Sequence, residues 1–99
     1  MVNASVAIQV LPQVEERQVV PIVDRVIEHI QRSGLKYFVG PFETVVEGNF
    51  DKLMELVKEC QETAVEAGAP GVISYIKIFY NPVSGVLGIG EKVDKYHEK

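Results

Sequence analysis

The sequence predicts an α+β fold: an antiparallel four-stranded sheet with two helices on one face and a short C-terminal helix. Three observations predict it. Apolar residues alternate between a period of two and a period near 3.6, in the order β-α-β-β-α-β along 99 residues. Each amphipathic stretch ends near a glycine that leads into a tyrosine-bearing strand: Gly34-Leu-Lys-Tyr37 and Gly71-Val-Ile-Ser-Tyr75, a weak internal repeat. Hydrophobic residues make up 46% and charged residues 24%, so the chain can bury a core instead of staying disordered.

The elements follow in order. Residues 4–11 are β-rich, with Val6, Ile8 and Val10 on one face, and Pro12 stops them. Val19, Val23, Val26, Ile27 and Ile30 then form one stripe of an amphipathic helix. Pro21 has no N–H and fits the first turn, so the helix is expected to begin within a few residues of it and to end at Gly34. Residues 35–40 and 43–48 read as two strands joined by a turn at Pro41 and Phe42. Asn49 or Asp51 caps a second helix. Its apolar stripe is Phe50, Leu53, Met54, Val57, Cys60, Ala64 and Ala67, and Gly68 and Pro70 end it. Residues 72–80 are the longest and most apolar strand. Residues 81–85 are a turn, and a last helical turn or two begins at Glu91. Both helices cover one face, as in the ferredoxin-like split βαβ pattern, and residues 1–99 are expected to be one domain.

Composition removes several function classes. Ten Lys and Arg against fourteen Asp and Glu give a net charge of −4, with no basic stripe. Nucleic acid, which binds through such a stripe, is not an expected partner, and neither is an anionic membrane. No apolar run approaches the ~20 residues of a membrane span, and the N-terminus lacks a signal-peptide pattern, so the cytoplasm is the expected compartment. Cys60 is the single cysteine, which excludes an internal disulfide and every Cys-x-x-Cys site. On the helix stripe it reads as a buried, inert thiol.

No catalytic arrangement is legible. Gly85-Val-Leu-Gly88-Ile-Gly90 lacks the Lys-Ser/Thr of a phosphate-binding loop and reads as turn glycines. His29 and His97 have no nearby ligand set, so no metal is expected. An acylphosphatase-type reading has Arg17 available but no suitably placed asparagine. An RNA-stacking sheet needs aromatic central strands beside basic residues, and the third strand is acidic and non-aromatic.

The last strand suggests an interface. If Val72, Ile76 and Ile78 face the helices, then Ile73, Tyr75, Lys77 and Phe79 face away. An apolar, aromatic outer face marks a contact surface, here for a dimer or tetramer built through the sheet face or edge. Polar residues interrupt the apolar strands at Gln9, Thr44, Glu47, Ser74 and Lys77. Together they suit a small polar ligand in a largely apolar pocket. Thr44 and Glu47 lie three residues apart, so they point to opposite faces unless a bulge intervenes.

Four segments, Val6-Ala-Ile-Gln-Val-Leu-Pro12, Gly40-Pro-Phe-Glu-Thr-Val-Val-Glu-Gly48, Ser74-Tyr-Ile-Lys-Ile78 and Glu91-Lys-Val-Asp-Lys-Tyr-His97, resemble the small thiamine-binding-protein family. The resemblance spans essentially the whole chain, and the Gly40 to Gly48 stretch is its most specific part. It implies a non-catalytic ferredoxin-like domain without a cofactor, assembled as a dimer or tetramer, that binds thiamine or its hydroxymethylpyrimidine moiety. On that reading Glu47 offsets the thiazolium charge or accepts from the exocyclic amine. Thr44, Ser74 and Gln9 satisfy ring nitrogens or the hydroxyl, and Tyr37, Phe38 or Tyr75 stacks on a ring. Lys77 pairs with Glu47 or receives a phosphate. The competing expectation is a structural or regulatory interaction module with no small-molecule ligand.

Overall fold

The computed structural model describes residues 2–90. The elements are β1 (Ala4–Pro12), α1 (Glu16–Arg32), β2 (Lys36–Val39), β3 (Thr44–Gly48), α2 (Phe50–Glu66) and β4 (Val72–Tyr80). The sheet order is β2-β3-β1-β4, every neighbouring pair antiparallel, which is the ferredoxin-like arrangement. The C-terminal helix expected from Glu91 lies outside the described residues.

The strand registers fix both faces. Val6, Ile8 and Val10 share a face with Val46 and Thr44 of β3 and with Ser74, Ile76 and Ile78 of β4. This face meets the helices through Ile22, Val26 and Ile30 of α1 and Leu53, Leu56, Cys60 and Ala64 of α2. Val26, Ile30, Leu53, Cys60 and Ala64 belong to the expected stripes, but each inner row also takes in a residue outside them. Ile22 and Leu56 are buried at the centre, while Val19, Val23 and Ile27 stand on the flank of α1. Both choices satisfy a 3.6 period, and only the seating of the helix on the sheet separates them.

Helix α1 starts five residues before Pro21, earlier than the proline suggested. Gln18 Oε1 accepts from the Glu15 N–H at 3.3 Å and helps to set that start. Pro21 removes one helical bond, to the Arg17 carbonyl, but both residues are exposed, so water takes that carbonyl. Helix α2 is capped by Asn49, whose Oδ1 accepts from the Asp51 N–H at 3.0 Å and the Lys52 N–H at 3.4 Å.

The outer face of the sheet is not uniformly bare. Beyond β4, Asn81 Oδ1 accepts from the Val83 and Ser84 amides and turns the chain back. The Val86 N–H reaches the Val2 carbonyl at 3.2 Å. The Ile89 N–H donates to Glu47 Oε2 at 2.7 Å, and Ile89 itself is buried. Residues 81–90 thus return to the outer face of the sheet, where Ile89 meets Glu47. Gln9, Ile73, Tyr75 and Lys77 lie on the same face farther along β1 and β4, where Ile73, Tyr75 and Lys77 remain exposed.

Candidate functional site

The turn between β2 and β3 shapes one end of the sheet. Pro41 and Phe42 form its tip, and the Gly40 N–H donates to the Glu43 carbonyl at 3.0 Å. Neither Gly40 nor Gly48 has a positive φ. Gly40 is needed for space: a Cβ there would stand 2.8 Å from the Glu43 carbonyl oxygen. The turn therefore folds tightly on itself, and on its β3 side β1 has no strand neighbour beyond Ile8.

A pocket of about 200 Å³ opens at that point. Val19, Val23 and Ile27 wall it on the α1 side, and residues 39–44 wall it on the other. Its floor is the far end of β1, including Gln9 and Val10. Among these residues the polar side chains are Gln9, Glu43 and Thr44. Across β4 a shallower groove of about 800 Å³ adds Ser74, Tyr75, Ile76 and Lys77 and shares Gln9, Phe42 and Glu43 with the pocket. The two spaces adjoin around the turn.

The five residues singled out from the sequence fall into four environments. Gln9 lines both pocket and groove, and Thr44, 6% exposed, lines the pocket. Lys77 lies in the groove, with its Nζ 3.2 Å from Glu43 Oε1. Glu43, not Glu47, is therefore its partner. Glu47 is on the outer face, buried, and holds the Ile89 amide. The opposite orientation of Thr44 and Glu47 follows from their registers against Ile8 and Ser5, with no bulge between them. Glu43 was missed. The sequence signal for it was its place directly after the Pro41-Phe42 tip, where a carboxylate reaches both faces.

Ser74 lies on the helix side, opposite Val10, and its buried Oγ has no hydrogen-bond partner among the described residues. An unpaired buried hydroxyl costs about 1–3 kcal/mol. Ser74→Ala is therefore expected to raise the free energy of unfolding by about 1 kcal/mol, read from the denaturant midpoint. A lower midpoint would mean that the hydroxyl has a partner in solution.

Other titratable groups sit away from this site. His29 Nε2 and Glu59 Oε1 meet at 2.8 Å between the two helices, a contact that ties α1 to α2. No cluster of metal-ligating side chains occurs among the described residues. No described helix is long and apolar enough to cross a membrane.

The comparisons with known proteins agree with one another. The family profile described as thiamine-binding protein matches residues 6–97. A UPF0045 protein of Clostridium perfringens is 46% identical over 96 residues, covering 97% of this chain and 99% of its own. Among solved structures, a domain of unknown function, DUF77, from Bacillus cereus superposes with a TM-score of 0.88 at 44% identity, over 97% of this chain and 91% of its own. A Thermotoga maritima protein, provisionally named for thiamine biosynthesis or salvage, does so with a TM-score of 0.82 at 38% identity, over 95% and 98%.

Proposed function

The chain belongs to the thiamine-binding protein family, and on that footing we propose that it is a non-catalytic binder of thiamine or its hydroxymethylpyrimidine moiety. One observation carries the reading: an apolar pocket and an open groove share Gln9, Phe42 and Glu43. A pocket of about 200 Å³ is smaller than the sites that enclose a whole drug-sized ligand. It suits one heteroaromatic ring. The pyrimidine enters it beside Thr44 and Gln9, and the thiazolium stays in the groove.

The groove suits that cation. Glu43 supplies a carboxylate and Tyr75 an aromatic face, which attracts a cation over its ring. Lys77 stands ready for the phosphate of a thiamine ester once it leaves Glu43, since an exposed ion pair of this kind is worth only about 0–1 kcal/mol.

Calorimetric titration with thiamine and with hydroxymethylpyrimidine tests the reading. Both are expected to bind. Val23→Phe fills the pocket from the flank of α1 and is expected to weaken both by about tenfold or more, the equivalent of about 1.4 kcal/mol, with the fold retained. Wild type that gives no heat with either compound would leave the interaction module as the better reading.

The same proposal includes self-association through β4. That strand is a 9-residue edge, and Ile73, Tyr75 and Phe79 are each about half exposed on its outer face. A long apolar edge offers both backbone groups and side chains to a second copy. Light scattering at micromolar concentration is expected to give the mass of at least two chains. A stable monomer would remove this part of the reading.

A further inference from the structure

Strand β1 outruns β3. Its pairing with β3 ends at Ile8 opposite Thr44, while its pairing with β4 continues to Pro12 opposite Val72. The β4 side goes one step further, because the Gln13 N–H donates to the Gly71 carbonyl at 3.0 Å. In an antiparallel sheet the peptide groups of successive residues point to alternate neighbours. Gln13, Leu11 and Gln9 therefore turn their N–H and C=O toward β4. Ile8 and Val10 turn theirs toward the β3 side.

Ile8 finds Thr44 there. The next rung, Val10, meets a chain that has already entered its turn, where Gly40 and Glu43 bond to each other. No backbone bond joins that turn to Val10 among the described residues. Pro12, the following residue in the same phase, has no N–H to leave unpaired, which is where a strand tolerates proline. Val10 is thus the one residue of β1 that presents a donor and an acceptor side by side without a strand to receive them. Val10 is 8% exposed and lines the 200 Å³ pocket.

We propose that Val10 is an open rung of the sheet that reads the donor–acceptor edge of the bound heteroaromatic ring. The exocyclic amine of an aminopyrimidine donates to the Val10 carbonyl, and the adjacent ring nitrogen accepts from the Val10 N–H. The ring takes the place of a missing strand residue. This inference rests on the reading of the pocket given above and adds the group that discriminates. A ring lacking that edge leaves a buried N–H and C=O unpaired, and a site built to pair such groups rejects it strongly.

Amide hydrogen exchange followed by NMR on the intact protein tests the open rung. In the free protein the Val10 amide is expected to exchange faster than those of Ile8 and Leu11, which are held in ladders. With thiamine at about 100 times its dissociation constant, Val10 exchange is expected to slow by about a hundredfold, well beyond any change at Leu11. Protection of Val10 equal to that of Ile8 in the free protein would overturn the proposal. So would an unchanged Val10 amide in protein that calorimetry shows to be thiamine-loaded, and the thiamine reading would then survive alone. If thiamine gives no heat, that reading falls, and cytosine and adenine, which carry the same edge, are titrated against the same amide. Protection by either sustains the open rung, and protection by neither overturns it.

Discussion

Leu53→Ala is expected to lower the free energy of unfolding by about 3–5 kcal/mol, the upper part of the range for a buried leucine. Leu53 is fully buried in the first turn of α2 and packs in the core with Val6, Val46 and Cys60. The loss has two parts: the transfer of the missing methyl groups and the cavity left where neighbours do not close in. Val6 and Val46 are held by strand ladders on both sides, so they cannot collapse inward. A domain of this size has about 5–15 kcal/mol in total, so the variant would keep little margin. Urea unfolding checks this: the midpoint falls while the slope stays constant. A loss below about 1 kcal/mol would show that the site collapses and that the core is looser than its burial implies.

Labelling of Cys60 by a thiol reagent at pH 8 is expected to be slower in the folded protein than in the unfolded chain by about a thousandfold or more. Burial of the thiol, helped by the neighbouring Glu59 charge, pushes its pKa from the ordinary 9.0 up to about 12. Only the thiolate reacts, so its fraction alone falls by about a thousandfold, and exclusion of the reagent adds to that. The linked effect on stability has a definite sign. The folded pKa is the higher one, so the contribution of the neutral thiol is complete below pH 9 and is lost as pH rises toward 12. Rapid stoichiometric labelling of native protein would mean that α2 turns a different face to the sheet.

How much of this was legible in the sequence depended on which interactions decide each feature. Strand β4 has the expected ends because its period-two pattern is bounded by turn residues on both sides. The order of elements and the pairing of helices with one face followed from the same local signals. The start of α1 did not, because an exposed proline costs less than the rule for helix interiors suggests. The inner columns at Ile22 and Leu56 were not legible either, since the helix pattern allows adjacent stripes and only packing selects one.

The candidate site shows the same division. Gln9 and Thr44 were found because they are polar residues in apolar strands, and the structure brings both to the pocket. The partner of Lys77 was not decidable. Lys77 lies opposite Ala7, and Ala7 lies opposite Val45, so Glu43 and Glu47 stand two residues to either side of the same rung. Glu47 is taken by the Ile89 amide, and that contact spans 42 residues of chain. Glu43 is then left for Lys77. Long-range contacts of this type leave no mark in local periodicity.

The sheet order also bears on how the protein is made. Strand β1 precedes the rest of the sheet in the chain, yet its 9-residue ladder is with β4, the last strand of the sheet. During synthesis β1, both helices and the β2–β3 hairpin are made before that partner. The nascent chain then carries an apolar strand with one open side and an incomplete cover for its core. Such a species is slow to close and prone to join its neighbours. The β1–β4 ladder therefore cannot close until residue 80 has been made, and a chain halted before Val72 keeps one side of β1 open.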